Sequence, residues 1–193
     1  MRIVGGSLRG RRLAVPPGAT VRPTASRARE ALFNLLAHNA YGPAPPPAGA
    51  TVVDAFAGSG ALGFEALSRG ARRVIFLERD PAARRCLAAT SRALGADQSV
   101  TILARDATRP GRAPAPADLV LLDPPYRAGL ATPALVALIA GGWLAAGAVA
   151  VVECAADETV TPPPGLVVLD KRRYGAARLV ILGRDAGAAV GER

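Results

Sequence analysis

Four acidic residues each stand at or just after the end of an apolar, strand-like run: Asp54, Glu78, Asp106 and Asp123. When strands are parallel, their carboxyl ends meet at one edge of the sheet, and ligands bind there in this class of fold. Carboxylates accept hydrogen bonds from ammonium, hydroxyl and amino groups. The four residues therefore outline one site for a ligand that carries several donor groups.

The tetrapeptide Asp123-Pro124-Pro125-Tyr126 is the most specific of these patterns. Its prolines fix the backbone and lack N–H groups, so the Pro124 carbonyl remains an acceptor beside the Asp123 carboxylate. Together these acceptors can bind both hydrogens of an exocyclic NH₂ group, and Tyr126 offers a face on which a base can stack. Because the lone pair of such an amine is delocalised, alignment with a nearby sulfonium methyl favours direct transfer by positioning.

The sequence VVDAFAGSGALG places a glycine turn between a strand and a helix. Glycine allows the backbone to approach a ligand closely, and a helix N-terminus presents free N–H groups. Gly58, Gly60 and Gly63 also fit the dinucleotide fingerprint, so an NAD(P) enzyme remains an alternative at this point. Asp54 favours a different ligand, because its carboxylate can bind the ammonium group of a methionine moiety but would repel a pyrophosphate.

Two further acids complete this predicted ligand site. Glu78 ends the second strand, where an acid can accept both hydroxyls of a ribose. Asp106 follows the third strand, where an acid can accept a hydrogen bond from an adenine amino group. For both residues, a position on the surface without contact to a ligand remains an alternative. Asp80 stands before Pro81 and fits a helix cap better.

These residues need a parallel sheet to bring them together, and the chain from Thr51 has the pattern of one. Strand-like and helix-like segments alternate, which predicts a sheet with helices on both faces. The strands are apolar throughout, as expected when both faces are covered. The predicted strands cover residues 51–56, 73–78, 100–104, 119–123, 148–154, 166–170 and 177–182, and the predicted helices cover 61–69, 82–94 and 133–140.

The predicted fold class is α/β and Rossmann-like: seven strands, mostly parallel, with an antiparallel last strand in a closing hairpin around a basic turn at 171–175. Residues 1–40 are predicted to form a basic β-arm and a helix that Thr24 caps and His38 ends. Residues 41–50 are a Pro-rich linker, residues 51–183 form the catalytic domain, and residues 184–193 are a tail.

Arginine dominates the first 29 residues, which contain seven arginines and no acidic residue, in a chain of net charge +9. Guanidinium groups pair with phosphates and release counterions, so such a cluster fits a nucleic-acid partner. Charge alone does not decide between that partner and a solvated basic face.

Several residues are set aside as structural. The uncharged stretch 129–152 is long enough to cross a bilayer, but Pro133, Gly147 and the Gly141-Gly142 pair interrupt it, so no membrane span is predicted. No apolar segment of the kind found in signal peptides follows the first arginines, so no signal peptide is predicted. Cys86 and Cys154 match no metal pattern, and we predict no metal. We also expect Trp143 in the core and His38 as a helix cap rather than a base.

These motifs resemble the class I S-adenosylmethionine (SAM)-dependent methyltransferases, where (D/N/S)PP(Y/F) is typical of the branch acting on exocyclic nitrogens. The segments IVGGSLRGRRL, RPTASRAREALFNLL, DAFAGSGALGFEALSRGA, LDPPY and RRYGAARLVIL occur in the same order as in the RsmD family of bacterial 16S rRNA guanine-N2 methyltransferases. The resemblance covers nearly the whole chain. The Pro-rich linker departs from it, which puts the linker's geometry in doubt but not the chemistry.

The resemblance implies SAM as cofactor and methyl transfer to a guanine of 16S rRNA, within a partly assembled small subunit in the cytoplasm. The guanine amine would be held by Asp123, Pro124, Pro125 and Tyr126. SAM would be held by Asp54, Phe56, Ala57, Gly58, Ser59, Gly60, Glu78, Arg79, Asp106, Ala107 and Asp123. RNA contacts are predicted for Arg9, Arg11 and Arg12, and Arg22, Thr24, Arg27 and Arg29 would lie near RNA or near the active-site mouth. We expect a monomer.

Other functions stay open. A DNA adenine-N6 methyltransferase uses the same tetrapeptide chemistry, but this chain has little room for a DNA target-recognition domain. A protein-glutamine methyltransferase would leave the basic arm unexplained. A non-catalytic RNA-binding assembly factor would require a vestigial SAM loop, although Asp54, Glu78 and Asp123 are all present.

Overall fold

The computed structural model describes residues 1–16, 23–38 (backbone only for 23–26), 41 and 47–184. Predictions for Arg22, the Thr24 side chain, linker residues 42–46 and the tail beyond residue 184 lie outside these described residues. The division into domains stays a prediction.

Seven strands and four α-helices make up the described chain. The strands are β1 (Thr51–Ala55), β2 (Arg73–Leu77), β3 (Val100–Leu103), β4 (Ala117–Leu122), β5 (Leu144–Ala155), β6 (Leu166–Tyr174) and β7 (Ala177–Arg184). The helices are α1 (Pro23–His38), α2 (Ala61–Ser68), α3 (Pro81–Leu94) and α4 (Ala131–Ala140).

All seven strands form one sheet in the order β3-β2-β1-β4-β5-β7-β6. Strand β1 pairs in parallel with β2 and with β4, whereas β7 runs antiparallel to both β5 and β6. This confirms the predicted fold class. Because the chain leaves β1 towards one side of the sheet and returns to its other side at β4, the carboxyl ends of these two strands frame the crevice where ligands bind.

Helices cover both faces of the sheet and explain why the strands are apolar throughout. Neighbouring residues of β1 point to opposite faces: Val52 packs in a cluster with Phe33 of α1, and Val53 packs in a cluster with Leu135 of α4. Every residue of β1 is buried. The carboxylate at its end, Asp54, is therefore held by a rigid, fully covered strand.

Several predicted boundaries were wrong, and strand β5, for example, begins at Leu144 rather than at residue 148. Helix α1 begins at Pro23, so Thr24 lies inside its first turn and is not the cap; proline suits the first helical position because its missing N–H would have no partner there. The predicted basic turn belongs to β6, whose pairing with β7 continues to Tyr174 opposite Ala177. The turn itself is the dipeptide Gly175-Ala176, and Gly175 has a φ of 61°.

In its described residues, 1–16, the N-terminal arm folds back on itself through one antiparallel bridge, between Arg2 and Arg12, and forms no longer strand there. Its apolar residues Ile3 and Leu13 are buried in the core beside α1 and α2. The first residues therefore form an integral part of the fold.

The arm is attached to α2 through backbone groups. The N–H of Val4 donates to Glu65 Oε2 over 2.8 Å, and the N–H of Ser7 donates to the Ser68 carbonyl over 2.7 Å. The N–H of Leu8 donates to the Ser68 hydroxyl over 2.9 Å. Such close approach explains the glycine pair at positions 5 and 6, since a Cβ on Gly6 would lie 1.9 Å from the Ser68 carbonyl oxygen.

Replacement of Gly6 by alanine is expected to detach the arm from α2. Gly6 has a φ of 74°, which a side chain adopts only at a penalty of about 1–2 kcal/mol, and the new methyl group would also collide with Ser68. Limited trypsin digestion should then cleave after the arm arginines much faster than in the unmodified protein.

Gly10→Ala is the matched control for this prediction. Gly10 also has a positive φ, 83°, but no atom lies within 4 Å of its added Cβ. It therefore reproduces the backbone strain without the collision. Equal digestion rates for the two variants would show that contact with Ser68 does not hold the arm.

The remaining structural predictions can be checked directly. The His38 ring nitrogen Nδ1 lies 2.7 Å from the Asn34 carbonyl in the last turn of α1, which confirms the cap. Trp143 is fully buried and donates from Nε1 to the Gly111 carbonyl over 2.8 Å. Within the described parts of the chain, no helix has the length and apolar character that a membrane span needs.

Candidate functional site

Two adjoining cavities lie at the carboxyl ends of β1, β2 and β4. The first has a volume of about 440 Å³ and the second about 240 Å³. Phe56, Gly58 and Asp123 line both. The first is also lined by Leu77, Glu78, Arg79, Arg105, Asp106, Ala107, Thr108, Pro124, Pro125 and Leu130, and the second by Met1, Arg29, Asp54, Ala57, Ser59, Ala61, Leu62 and Glu153. The cavities thus bring together residues that are distant in sequence.

Asp54 is buried at the end of β1, with 1% of its surface exposed. Its Oδ2 accepts a hydrogen bond of 2.8 Å from the N–H of Gly63 in α2. Burial nevertheless raises the pKa of Asp54 to about 8; the hydrogen bond from Gly63 opposes this increase, and the nearby Asp123 and Glu78 add to it. A carboxyl group in this environment ionises readily only when a cation lies beside it.

The turn between β1 and α2 is strained at the point where the two cavities meet. Phe56 has a φ of 99°, a conformation that side chains other than glycine rarely adopt. The N–H groups of Phe56 and Ala57 both approach the Leu77 carbonyl, at 3.4 and 3.2 Å. Two glycines of the turn, Gly58 and Gly60, also have positive φ. Strain of this kind is typical of functional sites.

Glu78 holds this turn in place. Its Oε2 accepts from the N–H of Gly58 over 2.7 Å, and its Oε1 accepts from the N–H of Asp80 over 2.7 Å. Asp80 in turn caps α3 by accepting from the N–H of Ala83, which confirms its predicted role. Because each carboxylate oxygen has two lone pairs, Glu78 can still accept hydrogen bonds from a ligand.

Asp106 orders the loop that forms the far wall of the first cavity. Its Oδ1 accepts from the hydroxyl and the N–H of Thr108, at 2.7 and 2.8 Å, and its Oδ2 accepts from Arg79 Nη1 over 3.2 Å. The bonds from Thr108 hold the pKa of Asp106 below its usual range, and Arg79 lowers it further. Ala107, next in the chain, is buried against the cavity.

The tetrapeptide Asp123–Tyr126 is anchored on the neighbouring strand β5. The Tyr126 hydroxyl donates to Glu153 Oε1 over 2.8 Å, which fixes the plane of the ring. Glu153 is 7% exposed and lies in the wall of the second cavity. Glu153 was not among the residues predicted for the site, although an acidic residue inside the apolar run AVAVVECA was a signal that could have identified it.

The predicted RNA-contacting arginines fall into two groups. Arg9, Arg11 and Arg12 are exposed on the arm, and Arg27 is exposed on α1. Arg29 differs from them because it is 2% exposed and therefore does not face an RNA-accessible surface. It lines the second cavity instead, so a direct contact between Arg29 and RNA, the first of the two predictions for it, does not fit its burial.

The combined site can recognise a ligand that carries a cationic group, hydroxyls and a flat apolar portion. Asp54 is suited to a cation, Glu78 to hydroxyls, and the apolar walls at Phe56, Leu77 and Leu130 to a ring. Among the described residues, no group of three or more His, Cys, Asp or Glu side chains could hold a metal ion.

Comparison with known proteins agrees with this geometry. The family described as conserved hypothetical protein 95 matches residues 1–183. The protein named ribosomal RNA small subunit methyltransferase D from Escherichia coli K12 is 37% identical over 164 residues, covering 85% of this chain and 79% of its own. Its namesake from Haemophilus influenzae is 35% identical over 179 residues, covering 91% and 89%.

Solved structures give the same result. The Escherichia coli protein yhhF superimposes with a TM-score of 0.81 at 36% identity, covering 96% of this chain and 98% of its own. A Haemophilus influenzae structure superimposes with a TM-score of 0.75 at 30% identity, covering 95% and 97%. The match extends from the arm through the catalytic sheet, so the chain belongs to the conserved hypothetical protein 95 family, which is the RsmD family.

Proposed function

We propose that this protein transfers a methyl group from SAM to the exocyclic N2 amine of a guanine in small-subunit ribosomal RNA. The observation that carries the proposal is the position of Asp123, which lines both cavities at the point where they meet. An amine bound there would lie directly beside whatever ligand fills the cavities. The relatives named ribosomal RNA small subunit methyltransferase D support RNA as the substrate.

The residues of the two cavities fit SAM part by part. In the second cavity, the buried carboxyl group of Asp54 would take the ammonium group. In the first, Glu78 would bind the ribose, and Asp106 with Ala107 would bind the adenine between apolar walls. The turn Phe56–Gly60 would lie against the centre of the ligand, and Arg79 would close the outer rim through its ion pair with Asp106. SAM supplies a methyl group on a positively charged sulfur.

The protein's own contribution is to orient the amine. The Pro124 carbonyl and the Asp123 carboxylate would each accept one hydrogen of the NH₂ group, while Pro125 fixes the backbone between them and Tyr126. The Tyr126 ring, held by Glu153, would stack on the base. Such positioning aligns a weak nucleophile without a metal or a covalent intermediate, and it is a recognised source of large rate accelerations.

Nucleoside analysis after labelling tests this function. Purified protein is incubated with methyl-tritiated SAM and small subunits from a strain that lacks the gene, and the RNA is then digested to nucleosides. We expect label in N2-methylguanosine. Label in N6-methyladenosine would support a methyltransferase but show that its target is adenine rather than guanine. An absence of SAM binding would overturn the proposal. Naked 16S rRNA as a second substrate tests whether the assembled particle is required.

The arm is expected to contribute electrostatically to RNA binding. Replacement of Arg9, Arg11 and Arg12 by glutamine should weaken binding to 16S rRNA, and the slope of log K against log salt concentration should become shallower by about 2, because each phosphate contact contributes roughly 0.7–0.9. Filter binding at several salt concentrations measures both quantities.

The control for the arm variant carries the same change in charge elsewhere. Arg72, Arg73 and Arg85 are exposed, and the first two stand at the opposite edge of the sheet from the site, at or just before the start of β2. Their replacement by glutamine should leave the salt slope nearly unchanged. Equal slopes for the unmodified protein and the arm variant would show that these arm arginines are not part of the RNA interface.

A further inference from the structure

We infer that Arg29 binds the carboxylate of the methionine end of SAM, which makes the second cavity a recognition site for a complete amino-acid group. The inference rests on the proposed function, because it assumes SAM as ligand. It gives a role to a buried arginine of α1 that lies 29 residues before Gly58, the first glycine of the turn. It also predicts a ligand preference that can be measured without turnover.

The first argument is the charge of the second cavity. The described residues of its wall include three carboxyl groups, those of Asp54, Glu153 and Asp123, and one guanidinium group, that of Arg29. An amino-acid group carries one positive and one negative charge. A cavity with acids alone could bind the ammonium group but would repel the carboxylate, whereas Arg29 provides the matching positive charge on the same wall.

The second argument is that Arg29 is incompletely hydrogen-bonded despite its burial. Its Nη2 donates to the Arg2 carbonyl over 2.8 Å. Among the described residues, its Nε has no hydrogen-bond partner, and it lies 3.6 Å from Glu65 Oε2. Its Nη1 contacts a weak acceptor, the sulfur of Met1, at 3.7 Å. Because buried donors are normally satisfied, this guanidinium is suited to a strong acceptor in the cavity.

The third argument is the short distance between Arg29 and the glycine turn. The Met1 sulfur that contacts Arg29 also lies 3.4 Å from the hydroxyl of Ser59. A single thioether therefore spans the space between them. Methionine is flexible and can repack when a ligand enters. A carboxylate in this space would reach Arg29 while the ammonium group of the same ligand remains at the end of β1, near Asp54.

Ligand truncation combined with mutation tests the inference. Calorimetry would compare S-adenosylhomocysteine with its decarboxylated analogue, which keeps the ammonium group and lacks only the carboxylate, and with 5′-methylthioadenosine, which lacks the whole amino-acid group. The proteins are the unmodified chain, Arg29→Met and Arg29→Lys, with Arg85→Met as the control that removes an exposed arginine of α3.

We expect the unmodified protein and the Arg85→Met control to prefer S-adenosylhomocysteine to the decarboxylated analogue by about tenfold to a hundredfold, as for a hydrogen-bonded charge pair. Arg29→Met should reduce this preference to nearly one, and Arg29→Lys should retain part of it. Binding of 5′-methylthioadenosine should stay the same in all variants, which shows that the fold and the adenosine site are intact.

An unchanged preference in Arg29→Met would overturn the inference and leave the proposed function intact. A parallel loss of affinity for all three ligands in that variant would also overturn it, because Arg29 would then act only by holding the arm to Glu65 and Arg2. If the unmodified protein binds none of the three ligands, the proposed function itself fails.

Discussion

Replacement of Asp123 by alanine is expected to reduce methyl transfer by about a hundredfold to a thousandfold while SAM still binds. The carboxylate accepts one of the two amine hydrogens in the proposed function, and removal of a single such positioning or electrostatic contact lowers rates by about 10²–10³. The affinity for SAM should change little, since the other cavity residues, Asp54 and Glu78 among them, remain. Single-turnover methylation of RNA and calorimetric binding of S-adenosylhomocysteine measure the two effects separately.

Asp118 provides the control on the same strand. It lies near the start of β4, at the opposite end from Asp123, and its carboxylate accepts from the N–H of Thr51 over 2.8 Å. Asp118→Asn removes one negative charge without reaching the cavities, and it should retain turnover. Loss of ligand binding in a folded Asp123→Ala variant would count against an amine-positioning role, and near-normal turnover would refute it.

The position of the site could be predicted because the information is local. Asp54, Glu78 and Asp123 each stand at the end of a predicted strand, and the topology of a parallel sheet is enough to bring such ends together. The helix cap at Asp80 was predicted for a similar reason, since an acidic residue directly before a proline at the start of a helix-like segment is a local signal for an N-cap. The fold class followed from the alternation of strand-like and helix-like segments.

The interactions around Arg29 could not be predicted because they join distant parts of the chain. Arg29 lies among the arginines of a basic segment. Its helical spacing with Phe33 and Leu36 puts it on the buried face of α1, unlike the exposed Arg27, but this spacing does not identify its partners. Its burial depends on Glu65, which is itself completely buried and also accepts from Val4 and Arg69. Only the packing of the arm and α1 against α2 brings these groups together.

The errors at strand ends have a related cause. Strand β6 extends through Lys171, Arg172 and Arg173, residues that a sequence pattern assigns to a turn. Their side chains are exposed at the edge of the sheet, so charge does not oppose strand formation there, and charged residues are common on edge strands. Pairing with β7 determines where β6 ends.

Asp54 is expected to make the free protein less stable as the pH rises from about 4 to about 8. Burial raises the pKa of this carboxyl group to about 8 in the folded protein, against about 4 in the unfolded chain. Between these values the folded state binds more protons than the unfolded state, so stability falls by up to about 1.4 kcal/mol per pH unit. Below about pH 4 the carboxyl group is protonated in both the folded and the unfolded state, and the stability that its protonation contributes is then fully present.

Asp54→Asn isolates this effect, since asparagine can still accept the hydrogen bond from Gly63 but does not titrate. We expect the melting temperature of the variant, relative to the unmodified protein, to increase between pH 5 and pH 8. Comparison of the two proteins removes the contribution of other titrating groups. A constant difference across this range would mean that Asp54 is ionised in the free protein.

Binding of an ammonium-bearing ligand should reverse the protonation of Asp54. The positive charge beside the carboxylate favours its ionised form, so the pKa of Asp54 falls and the group releases its proton on binding. Between about pH 6 and pH 7 we therefore expect S-adenosylhomocysteine to release close to one proton per molecule, near pH 8 about half a proton, and above pH 9 far less. Calorimetry in buffers of different ionisation enthalpy measures this number.

Two comparisons assign the released proton to Asp54. The Asp54→Asn variant should bind S-adenosylhomocysteine on the order of ten- to a hundredfold more weakly, because an amide replaces a charged partner, and it should release no proton at pH 7. 5′-Methylthioadenosine has no ammonium group, so it should release none from either protein. Proton release that persists in the variant would place the ionisation at another group and would require the ammonium group to be assigned to a different residue of the cavities.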